Sequence, residues 1–230
     1  MLKIERLDAC YGESRVIHAL DLSVEKGSIT CLIGRNGVGK STTLKSIMGL
    51  VKTPAGSITF DGHDITKMPP YNRVKLGIGY VPQGRDIFPQ LTVQENWEIG
   101  LQSKGGKGKI PDYVFEMFPV LPKFAKRKGG DLSGGQQQQL AIARALAADP
   151  KILILDEPTE GIQPSIIQDI GAAIRKINSE MGITVLLVEQ YLDFVMHISG
   201  YLYIMEKGNI VLKDATNNLD TEHVQKILTE

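Results

Sequence analysis

Short apolar runs separated by glycines dominate the first third of the chain. The segments LKIERL, VIHALDLSV, SITCLIG and GSITF have the composition of β-strands. Later in the chain, KILILDE and ITVLLVE contain strands that are apolar on both faces, as parallel strands covered by helices are. Two more strands are expected in YLYIMEKGNIVL. The pattern therefore predicts a core built on a largely parallel sheet.

Helical segments alternate with these strands. Thr92 is followed by Glu95 three residues later, a capping box that predicts a helix start. Pro164 suits a first helical turn and Gly182 suits a helix end. SKGGKGK is read as a solvated turn, and PDYVFEMF and YLDFVMHI as helices. Further helices are predicted over 40–50, 71–76 and 164–181, with a short one from about residue 220.

This order of elements predicts an α/β fold in one domain, 1–230, without internal repeats. Residues 1–83 and 150–230 are assigned to a core, and residues 84–149, which are mainly helical, to a lobe inserted into that core.

The composition of the chain argues against several classes of function. Lys plus Arg equals Asp plus Glu at 26 each, so no overall charge favours nucleic acid or an anionic bilayer as a partner. Cys10 and Cys31 form no metal-ligand pattern and are interpreted as small core residues in a reducing compartment. The charged N-terminus does not resemble a signal peptide, and no apolar run reaches the ~18 residues that span a bilayer. We therefore expect a soluble chain that another protein brings to any membrane on which it works.

A glycine-rich segment, IGRNGVGKST, follows the strand SITCLI and precedes a predicted helix. It matches the P-loop pattern G-x-x-x-x-G-K-[ST], in which glycines let backbone N–H groups surround phosphate oxygens at a helix N-terminus. Lys40 can then reach the β- and γ-phosphates, and Ser41 can ligate Mg²⁺. The alternative is a glycine turn without a ligand.

Two acidic residues end the apolar strand of KILILDEP. Asp156 is predicted to hold Mg²⁺, and Glu157 to polarise the water that attacks the γ-phosphate. The alternative is a pair of acids in an ordinary turn, because the sequence alone does not show that they approach the P-loop.

A second glycine-rich helix start lies at LSGGQ. Ser133 and Gln136 form a capping box, but Gly134 and Gly135 stand in the first helical turn. Glycine costs roughly 1 kcal/mol relative to alanine in a helix, so the pair is expected only where something approaches the backbone closely. Because a helix N-terminus binds anions, we interpret this segment as half of a second phosphate site.

Together, GRNGVGKST, LSGGQ and ILILDEP resemble the three motifs of ABC ATPases, in their usual order and across essentially the whole chain. The resemblance implies a P-loop NTPase core with an antiparallel β-subdomain and an inserted helical subdomain. It also implies ATP and Mg²⁺ as cofactors and a head-to-tail pair of subunits. In such a pair, the signature segment, residues 132–136, covers the ATP on the partner's P-loop.

Four further positions are interpreted from the resemblance. Tyr11 resembles the aromatic residue that stacks on adenine, and Gln83 resembles the Q-loop glutamine that contacts Mg²⁺ and the attacking water. Gln190 stands where most ABC ATPases have a histidine, and Gln163 where the D-loop usually has an aspartate. Glutamine can donate to a γ-phosphate but cannot relay a proton. The alternative for Tyr11 and Gln83 is an ordinary structural residue.

The predicted site residues fall into three groups. The catalytic group is Lys40, Gln83, Glu157 and Gln190. The metal group is Ser41, Gln83 and Asp156. The nucleotide-binding group is Tyr11, Gly34, Arg35, Asn36, Gly37, Val38, Gly39, Lys40, Ser41, Thr42, Ser133, Gly134, Gly135 and Gln136.

A single cassette with no membrane segment resembles the separate ATP-binding subunit of bacterial importers. Within them, GRNGVGK and EGIQPSII most resemble the second ATP-binding subunit of urea importers, with branched-chain amino-acid importers as the alternative. The implied partners are a second ATPase subunit (a paralogue or another copy), two permeases and, indirectly, an extracytoplasmic solute-binding protein. The implied location of this chain is the cytoplasmic face of the inner membrane. Two alternatives are a non-transport ABC ATPase and a nucleotide switch without turnover.

Overall fold

The computed structural model describes residues 1–229 as two β-sheets with helices packed around them. A four-stranded antiparallel sheet has the order β2-β1-β4-β5. A six-stranded sheet has the order β10-β9-β3-β8-β7-β6, and all its neighbouring strands are parallel except β10 and β9. The strands are Leu2–Tyr11 (β1), Ser14–Val24 (β2), Ile29–Ile33 (β3), Lys52–Phe60 (β4), His63–Asp64 (β5), Ile78–Val81 (β6), Ile152–Asp156 (β7), Thr184–Glu189 (β8), Tyr201–Glu206 (β9) and Asn209–Ala215 (β10).

The helices follow the predicted order, with shorter bounds at several ends. Both predicted capping boxes are present, at Thr92 and at Ser133. Two short 3₁₀ turns, at Gly100–Lys104 and Gly129–Asp131, connect the helices between β6 and β7, and a third lies at Thr216–Asn218. The α-helices are Lys40–Ile47 (α1), Pro70–Lys75 (α2), Val93–Ile99 (α3), Asp112–Met117 (α4), Val120–Lys123 (α5), Gly134–Ala147 (α6), Pro164–Ser179 (α7), Leu192–Ile198 (α8) and Thr221–Thr229 (α9).

Two apolar cores lie on opposite sides of the six-stranded sheet. One joins that sheet to α1 and to the antiparallel sheet, through residues such as Leu32, Leu44 and Phe60. The other joins its opposite face to α6, α7, α8 and the short helices before α6, and includes Cys31. Burial raises the pKa of the Cys31 thiol, in keeping with the predicted role as a core residue, whereas Cys10 is only partly buried.

The parallel strands confirm the predicted α/β class with its antiparallel second sheet. No helix within residues 1–229 combines the length and the apolar character that a bilayer crossing requires. The division into a core and a lobe at residues 84–149 stays a prediction.

Candidate functional site

Four neighbouring parallel strands end at one edge of the six-stranded sheet. β3, β8, β7 and β6 lie side by side, and each is followed directly by a segment that carries predicted site residues. These segments begin after Ile33, Glu189, Asp156 and Val81. Because the carboxyl ends of adjacent parallel strands meet, residues far apart in sequence become neighbours.

The P-loop connects β3 to α1 with backbone that only glycine adopts freely. Gly37 and Gly39 have φ of 79° and 114°. A side chain at Gly39 would also lie 2.7 Å from the Ile17 side chain. Gly39 is the N-terminal residue before α1 and supplies no side-chain cap, so the first N–H groups of the helix remain directed at the loop. The segment therefore has the backbone geometry of an anion-binding helix start.

Lys40 and Glu157 form a buried ion pair at the centre of the site. Lys40 Nζ lies 3.2 Å from Glu157 Oε1, and the two side chains are 3% and 5% exposed. The same ammonium donates to the carbonyls of Gly34 at 2.8 Å and Arg35 at 3.0 Å. The predicted catalytic acid and the P-loop lysine are thus in direct contact.

Two glutamines complete the contacts of Glu157. Gln190 Nε2 donates to Glu157 Oε2 at 2.7 Å, and Gln83 Nε2 donates to the same oxygen at 3.3 Å. Glu157 itself has φ of 47°, a left-handed conformation that is costly for a residue with a side chain. Its N–H donates to Val188 O at 2.9 Å, which anchors that conformation to β8. The structure therefore brings all four predicted catalytic residues together.

Asp156 lies beside this cluster and faces the start of α1. Ser41 Oγ donates to Asp156 Oδ1 at 3.0 Å, whereas the buried Oδ2 has no hydrogen-bond partner. Burial raises the pKa of the Asp156 carboxyl above its usual range, and the hydrogen bond from Ser41 opposes that shift. An unpartnered buried carboxylate oxygen next to a serine hydroxyl suits a hard divalent cation, which favours oxygen ligands.

The first residues of the P-loop line an open groove. Arg35 and Asn36 are exposed and border, with Gly34, Gln190 and residues of α9, a groove of about 630 Å³. Val38 is partly buried, and Thr42 is buried within α1. Tyr11 lies on the antiparallel sheet at the end of β1, where the residue is 48% exposed. Its contact with adenine stays a prediction.

The signature segment lies at the exposed start of α6. Ser133 accepts from the N–H of Gln136 and donates its own N–H to the Gln136 side chain. Within residues 1–229, no hydrogen bond or ion pair joins this segment to the P-loop residues 34–42. The signature segment is therefore separate in its hydrogen bonds from the P-loop, and its role as a second half-site stays a prediction.

The glycine pair in α6 has a reason that the sequence did not reveal. A side chain on Gly135 would lie 2.7 Å from Ile166 of α7, and one on Gly134 would lie 3.1 Å from the Arg85 guanidinium. Close packing within the chain therefore accounts for at least Gly135. The expected close approach to the backbone is thus found at Gly135, where it is made by Ile166 of the same chain, and a phosphate contact at this helix start stays a prediction.

Three residues of the site were not identified from the sequence. Glu189, at the end of β8, is 2% exposed, and its carboxylate accepts from Thr159 and from the N–H groups of Gln190 and Tyr191. Glu160 accepts from Gln83 at 3.0 Å. Arg85, with φ of 74°, donates to Gln137 of α6 and to the Glu160 carbonyl. An acid at the end of an apolar strand was the available signal for Glu189.

Comparisons with known proteins show which proteins the chain resembles. A family model described as ABC transporter matches residues 17–160. The chain is 40% identical to a probable branched-chain amino acid transport ATP-binding protein, LivF, of Archaeoglobus fulgidus, over 95% of this chain and 94% of that one. It is 39% identical to the high-affinity branched-chain amino acid transport ATP-binding protein BraG of Pseudomonas aeruginosa, over 93% of this chain and 92% of that one. Among solved structures, the dimeric post-hydrolysis cassette MJ0796 bound to ADP and Pi superposes with a TM-score of 0.83 at 27% identity, covering 94% of this chain and 99% of that one.

Proposed function

The chain belongs to the ABC transporter family as an ATP-binding, ATP-hydrolysing cassette, and on this premise we propose that it powers an importer of branched-chain amino acids. The observation that carries the solute class is the similarity to LivF and BraG, which extends over at least 92% of each chain compared. The substrate of such an importer does not contact the cassette, so the proposal for the solute rests on this similarity rather than on the site.

In the proposed reaction, Glu157 accepts a hydrogen bond from the attacking water and aligns it with the γ-phosphate. Lys40 leaves its contact with Glu157 to hold the β- and γ-phosphates, and the glycine backbone of the P-loop surrounds them. Gln190 and Gln83 already hold the Glu157 carboxylate from the other side, so they keep it in place when Lys40 moves.

Mg²⁺ fits the donor set of this site. Ser41 and Asp156 offer oxygen ligands, and Asp156 Oδ2 is buried without a partner. The described part of the chain contains no cluster of three or more His, Cys, Asp or Glu side chains arranged to bind a metal ion by themselves. Mg²⁺ suits such a sparse site because it binds one or two carboxylates together with water and substrate phosphates. We propose Ser41, Asp156 and Gln83 as its protein ligands, where the ion would neutralise charge on the phosphates.

We propose that two cassettes pair head to tail, so that Ser133 and the N–H groups after it reach the ATP on the partner's P-loop. Ser133 is exposed at the start of a 14-residue helix, where a partner's phosphate can approach. The similar cassette MJ0796 is dimeric. The second cassette is a paralogue or another copy. The two cassettes lie at the cytoplasmic face of the membrane, and two membrane permeases and an extracytoplasmic solute-binding protein complete the importer.

Urea is the second candidate solute. It is favoured by the segments 34–40 and 160–167, which resemble the urea importer subunit, while LivF and BraG favour amino acids. Both candidates predict the same chemistry in this chain and differ only in the permeases and binding protein.

Uptake measurements separate these candidates. In cells that lack the chain, uptake of radiolabelled leucine is expected to be lost and to return with the wild-type gene. The Glu157→Gln variant should not restore uptake, because it keeps ATP binding while hydrolysis falls roughly 100-fold. Loss of urea uptake with normal leucine uptake would instead establish urea. Normal uptake of both solutes would overturn both proposals and favour a non-transport ATPase.

A further inference from the structure

The side-chain amide of Gln83 lies between two carboxylates that come from one short segment. Gln83 Nε2 donates to Glu157 Oε2 at 3.3 Å and to Glu160 Oε2 at 3.0 Å. Glu157 is buried and is also in contact with Lys40 and Gln190. Glu160, by contrast, is exposed, and Gln83 is the side chain to which it is hydrogen-bonded.

This pair of contacts decides which way the amide faces. An ionised carboxylate only accepts hydrogen bonds, so the group directed at both carboxylates is the NH₂ and not the carbonyl. An NH₂ group has two hydrogens, and each carboxylate takes one. The Gln83 carbonyl oxygen is thus kept away from both acids, and it is the atom of this side chain that can ligate a cation.

We propose that Glu160 is a positioning residue that fixes the orientation of the Gln83 amide, so that its carbonyl oxygen is available to the metal bound with ATP. The inference rests on the metal-binding role proposed above for Gln83. Glu157 alone does not fix the amide as firmly, because its contact is the longer one and Gln190 shares the same oxygen.

The backbone around Glu160 is held firmly enough for this role. The Glu160 N–H donates to the Glu157 carbonyl at 3.2 Å. Thr159 donates through both its N–H and its hydroxyl to the buried Glu189 carboxylate, at 3.0 Å and 2.7 Å. Arg85 Nη2 approaches the Glu160 carbonyl at 3.4 Å. The Glu160 carboxylate is therefore presented to Gln83 from an anchored loop.

The test measures metal binding directly. The full chain, saturated with a non-hydrolysable ATP analogue, is titrated with Mn²⁺ as a probe, and free Mn²⁺ is followed by electron paramagnetic resonance. Glu160→Ala is expected to weaken Mn²⁺ binding about fivefold, which corresponds to the net contribution of one typical hydrogen bond. Glu160→Gln should recover most of the affinity, because its carbonyl oxygen can accept from the Gln83 amide in place of the carboxylate.

The double variant decides whether Glu160 acts through Gln83. Gln83→Ala should weaken Mn²⁺ binding, and adding Glu160→Ala to it should cause no further loss. A matched control is Glu98→Ala, which removes a similar exposed glutamine–glutamate contact, Gln94 to Glu98 at 2.8 Å on α3, and should leave the affinity unchanged. Thermal melting of each variant verifies that it folds.

Three results would overturn the inference. Additive losses in the double variant would mean that Glu160 acts independently of Gln83. Unchanged affinity in Glu160→Ala, with weakened binding in Gln83→Ala, would leave the proposed metal role of Gln83 standing and remove Glu160 from it. Unchanged affinity in Gln83→Ala would refute the metal role of Gln83 itself, and the role of Glu160 with it.

Discussion

At the scale of single residues, Glu189 is the buried acid that organises the loops after β7 and β8. Its two oxygens accept from Thr159 on one side and from the N–H groups of Gln190 and Tyr191 on the other. Burial raises the pKa of the Glu189 carboxyl above its ordinary value, although these hydrogen bonds oppose the shift. The loop that presents Gln190 to Glu157 is thus fixed by a carboxylate that is costly to keep charged.

Replacing Glu189 by glutamine should destabilise the chain in a pH-dependent way. The glutamine NH₂ would face donors that the carboxylate now satisfies, so the variant should melt at a lower temperature. Folding raises the pKa of Glu189, so above the folded-state pKa the buried negative charge lowers the free energy of unfolding. This destabilisation disappears as the pH falls toward 4.5, the ordinary pKa of the group, because the folded state then binds the proton. The wild type should therefore gain stability relative to Glu189→Gln as the pH is lowered from 7.

Melting curves of both proteins between pH 7 and pH 4.5 test this expectation, since contributions of other groups cancel in the difference. A difference that shrinks as the pH falls would mean that folding lowers the pKa of Glu189, and that the hydrogen bonds outweigh burial.

At the scale of elements, the first turn of α6 explains why two adjacent glycines are not equivalent. The space at Gly135 is closed by Ile166 of α7, whereas the space at Gly134 is bordered by the flexible end of Arg85. Both positions are helical and neither has a positive φ, so the difference between them is one of packing.

Alanine at the two positions should have different effects on stability. Gly134→Ala should be neutral or stabilising by up to about 1 kcal/mol, through helix propensity. Gly135→Ala should destabilise by roughly 1–3 kcal/mol, because its methyl group would push against Ile166. Denaturant unfolding measures both, and Ile166→Ala should relieve part of the Gly135→Ala loss in the double variant. Equal changes in unfolding free energy at the two positions would show that α7 can shift away from the added methyl group without loss of stability.

Elements whose signals are local were predictable, and contacts between distant elements were not. The capping boxes at Thr92 and Ser133 and the buried strands β7 and β8 follow from residues a few positions apart, and the structure confirms them. The β4 strand is longer than GSITF because it pairs with β1 along its whole length, a tertiary effect. The contacts of Glu160 with Gln83, 77 residues away, and of Gly135 with Ile166 depend on the fold and have no local signature.

At the scale of the whole molecule, the two halves of the proposed nucleotide site share no hydrogen bond or ion pair within residues 1–229. The P-loop, Glu157, Gln83 and Gln190 are joined by direct contacts. Among the described residues, the hydrogen bonds of the signature serine stay within the first turn of α6: it exchanges two with Gln136, and its carbonyl accepts from the N–H of Gln137. In the head-to-tail pair proposed above, a complete site requires two chains, each giving its P-loop to one nucleotide and its signature to the other.

Mixing two inactive variants tests this arrangement. Lys40→Ala disables the P-loop of its own chain, and Ser133→Arg fills the space through which the partner's phosphate approaches. Each variant alone should be nearly inactive as a homodimer. In mixed dimers, one site combines both lesions, and the other joins the intact P-loop of the Ser133→Arg chain to the intact signature of the Lys40→Ala chain. ATP-dependent dimerisation should therefore partly return on mixing, and phosphate release should return if one intact site suffices.

The controls separate a shared site from a folding defect. Ser133→Arg also removes a helix cap, which costs about 1 kcal/mol, so melting curves must show that the variant remains folded. Where the partner is a paralogue, Lys40→Ala in this chain is combined with the matching signature substitution in the paralogue. Both substitutions then affect the same nucleotide site, and the second nucleotide site stays intact. The comparison pair carries a P-loop substitution in each chain, which damages both nucleotide sites. If the first pairing is no more active than the second, Ser133 does not serve the partner's nucleotide, and the head-to-tail arrangement is refuted.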